Sequence, residues 1–219
     1  DDEETNIGFD SNGDLDTTAI SDFCDTANGY VTRWWDQSTN GNHADQATDT
    51  SQPQIYNGTA VITENGKPAV LSTLSTFFTM TTRLTAVQSV FNVLSPTDFT
   101  GNFTSHLLAD SNFQQPDFHS GISGVYLSSS YAKSSIINGD HYLNSSSVDL
   151  TATTRSSGQF AVDIIASTND VVVGSISKDR SFNRSWVGTR QEIIIYETDQ
   201  STNVSGIQSN VNTHFNIYT

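Results

Sequence analysis

Cysteine is almost absent. Cys24 stands alone in 219 residues, so no intrachain disulfide can form. Its expected role is a small buried hydrophobe rather than a reactive thiol. Positive charge is scarce too: nine Lys and Arg face 24 Asp and Glu, a formal net charge of −15. Nucleic-acid binding needs clustered cations to neutralise phosphates, and an anionic lipid surface would repel this chain, so both are excluded as partners. No apolar run approaches the ~18 residues of a membrane-spanning helix, which excludes membrane insertion of that kind. No secretory leader is visible, and the opening Asp1-Asp-Glu-Glu4 reads as a mature, trimmed or excised start. The low charged fraction, 15%, with abundant Ser, Thr and Asn, fits an extracellular, secreted or surface-displayed β protein.

What is plentiful is turn signal. Asn-Gly pairs at Asn12, Asn28, Asn40, Asn57, Asn65 and Asn138 favour type I′ turns, whose twist matches the strands they join. Between them, short runs predict strands at 54–62, 68–71, 77–82, 88–94, 105–109, 122–127, 134–138, 141–143, 159–167, 171–177 and 186–196. About a dozen short strands with turns between them is the pattern of a two-sheet antiparallel sandwich. Helices are expected at 17–24, where Ile20, Phe23 and Cys24 share a face, and near the C-terminus. There Val204, Ile207, Val211 and Phe215 recur at helical spacing behind a cap at Asp199 or Ser201. Nothing divides the chain, so residues 1–219 are expected to form a single domain.

The stretch Tyr30-Val-Thr-Arg-Trp-Trp-Asp-Gln-Ser-Thr-Asn-Gly-Asn-His-Ala44 begins with strand-like alternation and breaks into a polar turn held by side-chain hydrogen bonds or a cation. Trp35 shares parity with Val31, so Trp35 is expected inside and Trp34 nearer the surface. The block Trp35-Asp-Gln-Ser-Thr-Asn-Gly-Asn-His43 resembles the WYDQSGNGN-type signature of concanavalin A-like and laminin-G-like sandwiches. Within that superfamily it is most similar to the catalytic domain of arabinofuranosidase B enzymes. The segment Leu15-Asp-Thr-Thr-Ala-Ile-Ser-Asp-Phe-Cys24 resembles the helix preceding that signature. Asn65-Gly-Lys-Pro-Ala69 and the closing Trp186-Val-Gly-Thr-Arg-Gln-Glu-Ile-Ile-Ile-Tyr196 resemble further blocks of such proteins. The resemblance implies an all-β jelly-roll sandwich with short N-terminal and C-terminal helices. It assigns no chemistry, because the superfold serves lectins, glycosidases and adhesins alike, and the disulfides of the enzyme family have no counterpart here.

A glycosidase needs two carboxylates roughly 5–10 Å apart, one with a raised pKa. Asp110 with Asp117, Asp163 with Glu192, and Glu192 with Glu197 are the candidate pairs. Asp110 and Asp117 read as solvated loop carboxylates, and Asp163 and Glu192 as partners of Arg190 or Arg184, so no catalytic residue is assigned. No spacing suggests a Ser-His-Asp triad or a His-rich zinc site. Asp10, Asn12, Asp14 and Asp16 alternate like the first half of an EF-hand loop, the candidate calcium ligands, set against a plain turn that caps the following helix. For a sugar, stacking rings and planar polar groups are needed. Trp34, Asp110, Asp117, His119, Tyr126, Tyr131 and Tyr142 are the candidate ligand-binding residues. The expected function is non-catalytic glycan or polysaccharide binding. The alternatives are a structural or adhesive domain of a virion, tail fibre or surface filament, and a divergent glycoside hydrolase of arabinofuranosidase type.

Overall fold

The computed structural model describes residues 3–97, 106–110, 117–122, 124–178 and 185–219. Among these the chain is mostly β: fourteen strands, all paired antiparallel, and three α-helices. The larger sheet begins with β1 (Asn28–Tyr30), β4 (Gln54–Asn57) and β7 (Val70–Ser72). It continues through β14 (Gly188–Tyr196), β9 (Ser89–Pro96), β12 (Phe160–Ile165), β10 (Asp140–Leu143) and β11 (Ser146–Ser147), in that spatial order. The smaller sheet runs β13 (Val171–Ile176), β8 (Phe78–Val87), β3 (Ala44–Asp45), β2 (Arg33–Trp34). A two-residue ladder joins β5 (Thr63–Glu64) to β6 (Lys67–Pro68). Two short strands end the larger sheet, and β1 is further bent by an irregularity between Gly29 and Tyr30. The outer side of β13 is met by Ala109, which exchanges backbone hydrogen bonds with the Gly174–Ser175 segment.

The two sheets form a sandwich around one core. Val90 and Leu94 of β9 and Val162 and Ile164 of β12 join Phe78, Leu84 and Val87 of β8 and Val171 and Val173 of β13 in it. Connecting segments supply Leu107, Leu108, Phe118, Tyr126, Leu127, Ile136, Leu150 and Trp186. Strict alternation then sends Val93 and Ile194 to the opposite face of the larger sheet. Helix α3 (Val204–Phe215) covers that face with Ile207, Val211 and Phe215, in the i, i+4, i+8 spacing of a helical stripe. The helix stops at Asn216, whose φ of 51° is left-handed, and the Asn212 side chain accepts from the Ile217 and Tyr218 amides to fold the tail back. Its cap position is Asn203; the expected cap Asp199 instead accepts from the Ser201 amide one turn earlier.

Helix α1 (Thr17–Cys24) forms where the sequence predicts it, with Asp16 accepting from the Thr18 and Ala19 amides. Several expected strands differ; the 54–62 run, for one, is strand only as far as Asn57 and bends at Gly58. The 134–138 run is helix α2 (Ser134–Ile137): Ser134 and Ser135 lead straight into Ile136 and Ile137, which lack strand alternation, and Ile136 turns into the core. The 122–127 run is a set of turns pinned by one Val125–Thr154 bridge, with residue 123 outside the described residues. In 105–109 only Ala109 pairs, and residue 105 lies outside the described residues.

Asp163 points to the helix-covered face, 2% exposed, where Gln208 Nε2 of α3 donates to its Oδ2 at 2.8 Å. Burial raises its pKa to about 7, partly opposed by the Gln208 bond. Glu192, opposite Val93 on the same face, is also raised by burial. A carboxyl raised in the folded state holds its proton where the unfolded chain has lost it, so stability falls as pH rises between the two pKa values. For Asp163 that window runs from 3.8 to about 7 and amounts to about 4 kcal/mol. Asp163→Asn should remove most of this decline, seen as a flatter urea-denaturation profile between pH 4 and 7 than the parent chain gives.

Candidate functional site

The signature stretch crosses between the sheets. Tyr30 ends β1 in the larger sheet and Arg33 begins β2 in the smaller one, with Val31 and Thr32 carrying the chain across. Val31 N donates to Pro53 O, and Thr32 O accepts from Gln46 N. Because the stretch is not one strand, the parity between Val31 and Trp35 is lost, which corrects the expected burial of the two tryptophans. Trp34 packs inward, edge-on to Phe78 at 6.1 Å between ring centroids. Trp35 turns outward and is 42% exposed.

Trp35 is exposed but held. The His43 ring meets it edge-on at 4.6 Å, and the Arg33 guanidinium carbon lies 4.8 Å from the indole centroid. Arg33 is itself fixed by a two-pronged ion pair with Asp45, both bonds 2.7 Å. The loop beyond is organised by Asp36. Its carboxylate accepts from the Ser38 amide and hydroxyl and from the Asn42 amide, at 2.8, 2.9 and 2.8 Å, while its own amide donates to His43 Nδ1. Partial burial opposes ionisation of Asp36, but these bonds and nearby His43 outweigh it and hold the pKa below the usual value. The carboxylate ties the hairpin, and the Gln37 amide donates to Trp35 O. Two strands and one carboxylate thus present a flat aromatic ring beside a guanidinium, an imidazole and side-chain amides.

The other ligand-binding candidates are dispersed. Tyr126 is wholly buried against Phe160, its hydroxyl pKa raised by desolvation, so its ring offers no surface to a ligand. Asp110 is 5% exposed and clamped by Arg83 through two 2.8 Å bonds. Asp117 accepts from the Val172 amide and pairs with Lys133; burial raises its pKa against both partners. The loop between these carboxylates, 111–116, lies outside the described residues. His119 is buried between His106 and the exposed Tyr131, with ring centroids 4.8 and 5.3 Å away. His106 Nδ1 lies 3.0 Å from Ser120 Oγ, a buried pair that sequence spacing does not reveal. Tyr142 lies half-buried on β10, opposite Asp163. Arg184 lies outside the described residues, and Arg190 bonds on the core side of its sheet, so it does not partner Asp163 or Glu192.

The candidate calcium ligands are each engaged locally. Asp10 accepts from the Asn12 and Asp14 amides, which lower its pKa, and Asn12 Nδ2 also reaches it. Asp14 lies between Lys67 Nζ at 2.7 Å and His214 Nε2 at 3.3 Å, and Asp16 caps α1. Among the described residues no group of three or more His, Cys, Asp or Glu is placed to hold a metal. Two shallow polar clefts are present among the described residues, the second against α3. One, of about 240 Å³, is lined by Gln88, Asp140 and Asp199, and the other, of about 420 Å³, by Ser145, Asn212 and Tyr218.

No protein-family model, curated protein or solved structure matches the chain. The site therefore stands on its own geometry. Asp36→Ala strips the acceptor from two amides and a hydroxyl, so it should cost about 1–3 kcal/mol. Urea denaturation measures that loss, and limited proteolysis should show new cleavage within residues 36–42.

Proposed function

We propose that this chain is a non-catalytic, concanavalin A-like glycan-binding domain, displayed outside the cell, whose contact surface is the Trp35 ring and the Asp36–Asn42 loop beside it. The carrying observation is a large aromatic side chain, 42% exposed yet braced by Arg33 and His43. An exposed indole that is already ordered loses little conformational freedom when a sugar ring stacks on it. Around it, the imidazole and the amides of Gln37, Asn40 and Asn42 can hydrogen-bond to hydroxyls. Neutral glycans suit it better than polyanionic ones, because a chain of net charge −15 repels them.

A catalytic reading finds less support. Asp110 is clamped by Arg83, Asp117 by Val172 and Lys133, and Asp163 lies under α3. The carboxylate neighbouring Asp117, Asp170, shares its Lys133 partner, so both are engaged in one ion-pair cluster. A single small platform gives weak affinity, and display in many copies raises it through effective concentration.

A glycan array followed by titration against immobilised neutral polysaccharides tests the proposal. Trp35→Ala should weaken binding roughly tenfold with the melting temperature nearly unchanged. Trp34→Ala should lower stability instead. If no glycan binds, or Trp35→Ala binds as well as the parent, the proposal fails. An assembly or adhesive role in a virion, fibre or filament would then take its place.

A further inference from the structure

Arg190 of β14 is buried in the core, 1% exposed. Its Nη1 donates to Asn92 Oδ1 at 2.8 Å and its Nη2 to Leu107 O at 2.7 Å, both neutral acceptors. No carboxylate pairs with it among the described residues. Burial pulls its pKa down to about 9, so it still carries its charge at neutral pH. An interior cation without a counter-charge is among the costliest arrangements a fold can hold.

Its surroundings are rich in unused donors. Arg190 Nε, Asn92 Nδ2, Trp186 Nε1 and Ser185 Oγ are all buried without a hydrogen-bond partner. Asn92 is bonded to the guanidinium, the Trp186 ring centroid lies 5.5 Å from the guanidinium carbon, and Ser185 is Trp186's chain neighbour. Native interiors match the large majority of such donors, and here four unmatched ones fall on neighbouring residues. The cation's own Nε and three neighbouring donors call for an acceptor bearing negative charge. Water would satisfy the hydrogen bonds and leave the charge.

We infer that Arg190, Trp186, Asn92 and Ser185 form a buried site for one monovalent, chloride-sized anion. One positive charge calls for one negative charge, and a doubly charged oxyanion would leave an excess in a dry interior. Exposures of 0–1% at all four residues also favour an ion over an organic acid. A halide accepts from several directions at once, which suits donors borne on β9, β14 and the segment before β14.

The test uses the full chain. Melting in sodium chloride is compared with melting in sodium gluconate at equal ionic strength, gluconate being too large to enter. Chloride should raise the melting temperature by about 3 °C or more. Arg190→Met, which removes the charge at similar volume, should abolish that difference. Should the variant not fold, a bromide-soaked crystal of the parent chain decides, with an anomalous peak expected within hydrogen-bonding distance of Arg190 Nε. Equal melting in the two salts, or no anomalous peak beside the guanidinium, overturns the inference.

Discussion

Every residue of β9, from Ser89 to Pro96, is buried, and the rest of the molecule is arranged around that fact. Strands β12 and β14 take its two edges, the second sheet and its connections press on one face, and α3 covers the other. A strand enclosed on every side is mostly apolar, and β9 admits Ser89, Asn92 and Ser95 among Val90, Phe91, Val93 and Leu94. All six residues of β12 are buried as well. Polar groups that enter this layer have no water to fall back on. Asp163 depends on Gln208, and Arg190 on a side-chain amide and a carbonyl. Exposed rings lie away from this layer: Phe23 on α1, Tyr30 on β1, Trp35 just beyond β2 and Tyr131 in a connecting segment.

The sequence was most legible where periodicity was unbroken. The 159–167 and 186–196 runs are central strands, the 17–24 helix forms, and the C-terminal stripe covers a sheet face. It was least legible where the chain changes layer. Residues 30–35 alternate well enough to read as one strand, yet Val31 and Thr32 move the chain from one sheet to the other, and each tryptophan takes the face expected of its neighbour. Sequence alternation reports a local pleat and carries no mark of which sheet the pleat joins. The central part of the chain was illegible for a related reason. Tyr126, His119 and Asp110 sit in polar, turn-rich sequence that reads as surface, but this segment packs over the open side of the core, and long-range contacts bury all three.

The Asp36 loop shows how a site and a fold can share one residue. Asp36 closes the turn with its carboxylate and holds His43 through its backbone amide, and His43 with Arg33 sets the attitude of the indole. The ring itself contributes little to the core; its order comes from polar neighbours. On the larger sheet the division is reversed: an acid lies on the helix side and a cation on the sandwich side, with the strand layer between them. Side chains that leave opposite faces of a sheet cannot meet, so each must find its own partner.

The ends of the sheets carry a different kind of consequence. The larger sheet is bounded by β1, three residues with an irregularity, and by β11, two residues turned through Asn144 and Ser145 at positive φ. In the smaller sheet β2 is two residues long, and β13 is met by Ala109. Unpaired strand edges are templates on which a second chain can add, and long flat ones lead to fibres. Among the described residues β1, β2 and β11 are too short to offer a long ladder, and Ala109 covers the Gly174–Ser175 part of β13. At high concentration, copies of this protein meeting at those three short edges find little backbone to pair with.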